Sequence, residues 1–419
     1  MRASSLFRAF IFLLFTCNSV SYLFAQMGDD AVFLQGCFIE VAISDCGAYG
    51  TSESPPDGPY GDYHEIDWNG LGFVADHEKD GWDVATGAGE PDFCGDYFSP
   101  GSPEEGWAIQ IGSEIWENHY IGCYGYGGFF GGPDIDGDVT EYIEGLGYKQ
   151  GVWEGNLEDG DYNLAITQKT TFPNGALFFL TGVEICNNGD TDIDDLYYMR
   201  NVDPDQDLDH CGSFGTTNEI IYNPPTDDTA LVSAIGDACG CYLGIGAIDE
   251  RARVSFGNFF ISPATPEGGW MGDAGEGYSD EGSTWCDCAI QISFQLDIAA
   301  GECETIYFAH VLDPSDLQEA LEATLTGGFV GVAADGTQID TSGIVEKCEL
   351  DTLTLEILNA EEYEWTWTPS FGLSVDTGAV VLAFPDTTTT YIVHGLSECG
   401  ELLDTITIIV HNVQGNANA

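Results

Sequence analysis

Residues 289–312, "AIQISFQLDIAAGECETIYFAHVL", place Ile290, Ile292, Phe294 and Leu296 on every second position. Period two is the pattern of an extended strand with one buried face, and a helix cannot bring those residues to one side. The run is predicted to be a long hairpin turning at "AAGE". Comparable runs recur at 32–44 (VFLQGCFIEVAIS), 163–172, 176–186, 195–200 and 241–248. Between them lie the turn formers of a chain with 54 Gly and 16 Pro. One helix is signalled, in "DPSDLQEALEATL". Asp313 is its N-cap, Pro314 its first residue, and Leu317, Leu321 and Leu325 lie on one stripe. A single helix in 419 residues makes the expected class all-β.

Charge narrows the partners. The chain has 71 acidic and 9 basic residues, a formal net charge of -62. That excludes nucleic acid and disfavours anionic membrane surfaces, because no basic patch exists to meet phosphate. It suits a cation-rich medium that screens the repulsion. A hydrophobic content of 43% excludes a disordered acidic tail. At the start, Arg2 and Arg8, the run "AFIFLLF" and Ala25 before Gln26 read as a signal peptide over 1–25. A lipoprotein signal acylated at Cys17 is the alternative. No later stretch is apolar and long enough to span a bilayer. The expected location is extracellular or at the outer cell surface.

Fourteen cysteines then read as disulfides. Loss of Cys17 with the signal peptide leaves an odd number, so at least one thiol is free or bonded outside the chain. Cys239 with Cys241, and Cys286 with Cys288, form C-x-C pairs that are expected to be disulfides, with a four-sulfur zinc site as the alternative.

The text changes near Gly343. A large β-sandwich is expected over 26–342, with a loop-rich insertion at about 51–106 carrying Tyr60, Tyr63, Trp68, Phe73 and Trp82. Those aromatics either pin down the loop or line a binding region. A small sandwich of about seven strands is expected over 343–412, then a tail at 413–419. Trp365 and Trp367 share a strand face there, and the threonine run leading to Tyr391 is a β-branched strand feeding the same core.

"WTPSFGLS" followed by "FPDTTTTYIVHG" and a late cysteine resembles the PKD-like, immunoglobulin-type repeat of Bacteroidota surface proteins, including gliding-motility adhesins. Trp367, Pro369, Gly372, Leu373, Ser374, Pro385, Thr388, Thr389, Thr390, Tyr391 and Cys399 carry the match. It covers under a fifth of the chain. The resemblance implies an immunoglobulin-like sandwich with a bridge between Cys348 and Cys399. Upstream, "LGFVADHEKDGWD", "GDYFSPGSPEEGW" and "YYMRNVDPDQD" resemble uncharacterised secreted bacterial β-sandwich proteins. The chain stops at "NVQGNANA" without the sorting domain usual in such proteins. It therefore reads as a fragment or as a protein released by another route.

Carboxylates alternate in three segments: Asp134, Asp136 and Asp138, then Glu141; Asp190, Asp192 and Asp194, with Asp195; and Asp203, Asp205, Asp207 and Asp209. A Ca²⁺ ion takes six to eight oxygens, and alternation in a loop can turn several inward. None of the segments fits an EF-hand, since Val139 and Leu208 stand where glycine is needed. Clustered carboxylates repel by about 1 kcal/mol per pair at ~4 Å even in water. Calcium at Asp203–Asp209 is expected, with pairing to Arg200 or solvated turns as the alternatives. Arg251 and Arg253 are expected to satisfy carboxylates.

No G-x-S-x-G, H-E-x-x-H or phosphate-cradling loop is present, and carboxylate pairs mean little in so acidic a chain. The expected function is non-catalytic adhesion or scaffolding, with extracellular polysaccharide or other surface proteins as partners. The alternative is a carbohydrate-binding or carbohydrate-active protein using the aromatics of 51–106.

Overall fold

The computed structural model describes residues 26–64, 70–79, 81–82, 94–99, 104–120, 123, 133–259, 265–327, 331–339, 343–358, 363–397 and 400–411. The expected signal peptide over 1–25, Cys17, Trp68, Cys399 and the tail 413–419 lie outside them.

The protein is all-β. A three-stranded sheet holds β1 (Ala31–Gln35), β2 (Ile39–Ser44) and β3 (Phe73–Ala75). A five-stranded sheet runs β14 (Ala252–Gly257), β16 (Ala289–Ile298), β10 (Ile193–Val202), β4 (Glu105–Ile111) and β5 (Glu114–His119). A nine-stranded sheet begins β15 (Ser283–Cys286), β11 (Thr216–Tyr222), β12 (Thr229–Gly236), β13 (Tyr242–Ile248) and β17 (Cys303–Val311). It continues with β9 (Phe178–Asn187), β8 (Tyr162–Pro173), β7 (Tyr148–Asp159) and β6 (Asp136–Gly145). The two larger sheets share one core. Trp107 of β4 meets Trp153 of β7 edge-on at 5.3 Å, and Phe294 of β16 meets Phe308 of β17 at 6.2 Å. Alternation supplies these rings, because each strand sends every second side chain to the same face.

The expected hairpin at 289–312 is not one. β16 pairs with β10 and β14, whereas β17 pairs with β9 and β13. The turn at Ala299–Glu302 carries the chain from one sheet to the other. Alternation reports which face is buried and is silent about which neighbour supplies the hydrogen bonds. The expected single strand over 32–44 is the hairpin β1–β2, register Val32↔Ile43. Within 51–106 the chain forms β3 and the start of β4.

Three short helices are described: α1 (Leu208–Cys211), α2 (Pro266–Met271) and α3 (Leu317–Thr324). Asp313 caps as expected, accepting from the Ser315 N–H, and Pro314 opens a 3-10 turn leading into α3. Leu321 is buried, but Leu325 is 58% exposed because the helix ends at Thr324.

The C-terminal sandwich pairs β19 (Thr337–Gln338), β18 (Val332–Ala334), β21 (Leu353–Ile357) and β23 (Val380–Ala383) in one sheet. The other holds β20 (Ile344–Cys348), β25 (Gly400–His411), β24 (Thr389–Ser397) and β22 (Glu364–Thr368). β18 and β19 precede Gly343, so this sandwich begins earlier than the change in sequence texture indicates. Trp365, Trp367 and Tyr391 are buried together in its core, as their shared strand faces require. Leu146, at the β6–β7 turn, is buried in the same core.

Five disulfides are described: Cys46–Cys123, Cys94–Cys241, Cys186–Cys303, Cys211–Cys239 and Cys286–Cys288. Cys37 is bonded as well. The two cysteines of "CGC" go to different partners, which removes the zinc alternative. So many bridges place folding in an oxidising compartment. The implied Cys348–Cys399 bridge is not made, because Cys348 is a free, exposed thiol. The reason is topological. β20 runs parallel to β25 and sets Cys348 beside His411. Gly400, next to Cys399, begins β25 at the opposite end, about 36 Å away at ~3.3 Å per residue. Among the described residues, no helix is long and apolar enough to cross a membrane.

Candidate metal centre

The four aspartates of "DPDQDLD" part company once β10 ends. Asp203 follows its last residue, and its N–H donates to the Glu104 carbonyl at 3.0 Å. The Asp205 N–H donates to the Tyr97 carbonyl at 2.8 Å. These bonds hold the segment under the chain that leads into β4. Asp203 is 8% exposed and Asp205 2%. On each, Oδ1 is buried and accepts no hydrogen bond.

A third carboxylate arrives from elsewhere. β16 pairs with β10 in the register Val202↔Ile290, so the turn just before β16 lands beside Asp203. That turn is Cys286–Asp287–Cys288, closed by its own disulfide. One oxygen from each of Asp203, Asp205 and Asp287 lies within 4.8 Å of the other two. Among the described residues this is the one set of three or more metal-ligating side chains that converges so closely.

Burial pushes the Asp203 carboxyl well above the usual range, and Asp205, Asp287 and Glu104 add like charge to it. Burial likewise raises Asp205 to about 8, with Asp287, Asp209, Glu104 and Asp96 adding to the rise. Burial raises Asp287 too. Without a positive partner the Asp205 carboxyl, at about 8, holds a proton at neutral pH. A donor set made only of carboxylate oxygens suits a hard cation such as Ca²⁺.

The other two aspartates do different work. Asp207 accepts from four backbone N–H groups: Ala238 at 2.8 Å, Cys239 at 2.6 Å, and Gly240 and Cys241 at 3.3 Å. It is the internal anion of a backbone nest that pins the "CGC" turn. Asp209 accepts from the Asp96 N–H at 3.4 Å. Two of the four expected ligands converge, therefore, and Asp287 was missed. Its signal was faint, a carboxylate between two cysteines far along the chain, and only the β10–β16 pairing brings it in.

Asp134, Asp136 and Asp138 do not form a second centre. Asp136 and Asp138 are exposed on β6, where alternate residues stand about 6.7 Å apart. Asp134 accepts from the Glu117 N–H at 3.1 Å. With Glu114, Trp116, Glu158 and Asp159, Asp134 and Asp136 line an open acidic groove of about 740 Å³. In the segment of Asp190, Asp192 and Asp194, Asp192 accepts from the Ala300 N–H, as a turn residue would.

Arg200 does not balance the aspartates. It points from β10 into the core, fully buried, and an odd step of three residues turns Asp203 away from it. Its guanidinium donates to both oxygens of Glu105, to the Gly47 carbonyl and to Gln168, and lies 4.0 Å from the Tyr49 ring centre. Burial pushes Glu105 up to about 7 while Arg200 opposes the rise. Arg251 pairs with Asp249 and Glu304 as expected. Arg253 instead donates to the Glu250 and Ala252 carbonyls and stacks over Trp270.

The aromatics of 51–106 that are described are largely engaged in packing. Phe73 is fully buried, Tyr63 packs on Phe33 at 5.8 Å, and Trp82 stacks on His64 at 4.2 Å.

No protein-family model matches the chain, and no curated protein matches it. Solved structures show partial likeness. A candidate kojibiose phosphorylase from the human microbiome has 9% identity and a TM-score of 0.29, covering 70% of this chain and 35% of its own. The chain thus spans about a third of that protein's length. A galactose mutarotase related enzyme from Lactobacillus acidophilus has 9% identity and a TM-score of 0.29, covering 67% of this chain and 96% of its own. Likeness at that level carries no activity over to this chain.

Proposed function

We propose that the protein is a non-catalytic, secreted adhesion or scaffold protein whose large sandwich is stabilised by Ca²⁺ held by Asp203, Asp205 and Asp287. The carrying observation is that the buried Oδ1 atoms of Asp203 and Asp205 accept no hydrogen bond while converging on a third carboxylate. Buried charge left unmatched is strongly unfavourable, and an ion bound only by the folded state removes that cost through linkage. The PKD-like resemblance of the C-terminal sandwich supports a surface role, with extracellular polysaccharide or other surface proteins as partners.

Chelation is expected to lower the melting temperature, and millimolar calcium to restore it where sodium of equal ionic strength does not. Asp205→Asn should remove the calcium-specific recovery. A melting temperature indifferent to both chelator and calcium would defeat the metal assignment. Reducing-sugar release from a polysaccharide, abolished by one carboxylate substitution, would defeat the non-catalytic reading.

A further inference from the structure

Trp285 is 63% exposed, although tryptophan carries more apolar surface than any other side chain. Exposed apolar residues scattered singly are ordinary. This one is held in place. Its ring lies against Gly215, where a Cβ would meet the indole Cζ2 at 2.8 Å and Nε1 at 2.9 Å. The indole N–H donates to Asp237 Oδ2 at 3.0 Å. The other oxygen of Asp237 accepts from the Ser213 hydroxyl, and the Ser213 hydroxyl accepts from the Gly215 N–H at 3.2 Å. The Nε1–Cζ2 edge of the ring is therefore held between the Gly215 backbone and the Asp237 carboxylate, while most of the residue stays exposed.

The sheet extends this platform. Thr217 of β11 is paired with Trp285 on one side and Ile235 on the other, so the three side chains leave the same face. Ile235 is 40% exposed. Two strand spacings separate it from Trp285, about 10 Å. The row reads aromatic, hydroxyl, aliphatic, with the Asp237 carboxylate and Ser213 hydroxyl at its rim.

We infer that this row, Trp285–Thr217–Ile235 with Asp237 and Ser213, is a binding platform for a neutral oligosaccharide of equatorially substituted pyranose units. The apolar C–H face of such a ring stacks on a fixed indole, and its edge hydroxyls meet oxygen acceptors and hydroxyl groups. The row is far smaller than the ~800 Å² per partner that a stable protein interface buries. The chain's charge of -62 opposes a polyanionic glycan. Asp287 of the carboxylate cluster lies two residues beyond Trp285, so titrations are run in saturating calcium.

The full chain is titrated with cellohexaose, laminarihexaose and xylohexaose by calorimetry and tryptophan fluorescence. At least one is expected to bind, and Trp285→Ala to weaken it by tenfold or more, about 1.4 kcal/mol. Trp285→Phe, which keeps an aromatic face, should retain most of the affinity, and both variants should keep the parent melting temperature. Failure of all three sugars to bind at millimolar concentration overturns the inference. So does binding that survives Trp285→Ala, or a preference for polygalacturonate over the neutral sugars. If Trp285→Ala lowers the melting temperature, the Phe variant and protection of Trp285 fluorescence from acrylamide by sugar decide the matter.

Discussion

The large and small sandwiches solve one problem by different means. The large unit crosses its core with a buried ion pair, Arg200–Glu105, and staples strands and loops with the five described disulfides. The small unit has no disulfide among its described residues and leaves Cys348 free. Its core is built from Trp365, Trp367, Tyr391 and aliphatic neighbours. Two indole and phenol polar tips there find backbone carbonyls: Trp367 donates to Gly378, and Tyr391 to Phe371. A short chain with strict alternation can specify its core by pattern alone. A larger one with long connections must also fix which loop lies on which strand, and covalent and charged contacts do that.

Reduction should separate the two most sharply. Each native disulfide contributes about 2–5 kcal/mol, so a phosphine reductant under calorimetry should collapse the large-unit transition and leave the small one in place. If both shift together, Leu146 couples the units tightly, and Leu146→Ala should free the small unit from the effect.

The next largest effect concerns the cores. Arg200→Met leaves Glu105 buried without its partner and should cost the large unit about 3–5 kcal/mol. The double variant Arg200→Met with Glu105→Gln should recover part of that loss. In the small unit Trp367→Ala should cost a similar ~3–5 kcal/mol through a cavity, with no partner substitution able to rescue it. Rescue by pairing in one unit and not in the other, measured by urea unfolding, is the contrast at stake.

Calcium should act on the large unit alone, by about 2.7 kcal/mol at a hundredfold excess over Kd. Its effect should grow with pH. Asp205 moves from an ordinary 3.8 to about 8 in the metal-free fold. That fold therefore holds protons the unfolded chain releases, and the stability they contribute is complete below about pH 4. It is lost as pH rises through 8. Calcium replaces those protons, so its shift in melting temperature should be larger at pH 8 than at pH 5. A shift that shrinks as pH rises would contradict the assignment.

The smallest effect is expected on β6. Asp136→Asn with Asp138→Asn should change stability by within about 0.5 kcal/mol and leave the calcium response intact.

Much of this was legible in the residues. Period two at Ile290, Ile292, Phe294 and Leu296, and at Trp365 and Trp367, determined strand, face and all-β class, because side-chain alternation is a local property of the extended chain. Asp313 and Pro314 determined a helix start for the same local reason. The run of aspartates marked a place where charge had to be accommodated. What each aspartate does was decided by tertiary structure. Asp203 and Asp205 meet Asp287 only because β10 pairs with β16, Asp207 meets the "CGC" turn, and Arg200 turns to Glu105 on β4. Pairing between distant strands, the parallel run of β20 beside β25, and the crossing of 289–312 between sheets all depend on backbone hydrogen bonds. Those bonds are chemically the same at every residue except proline, so no side-chain pattern along one strand records which neighbour it has.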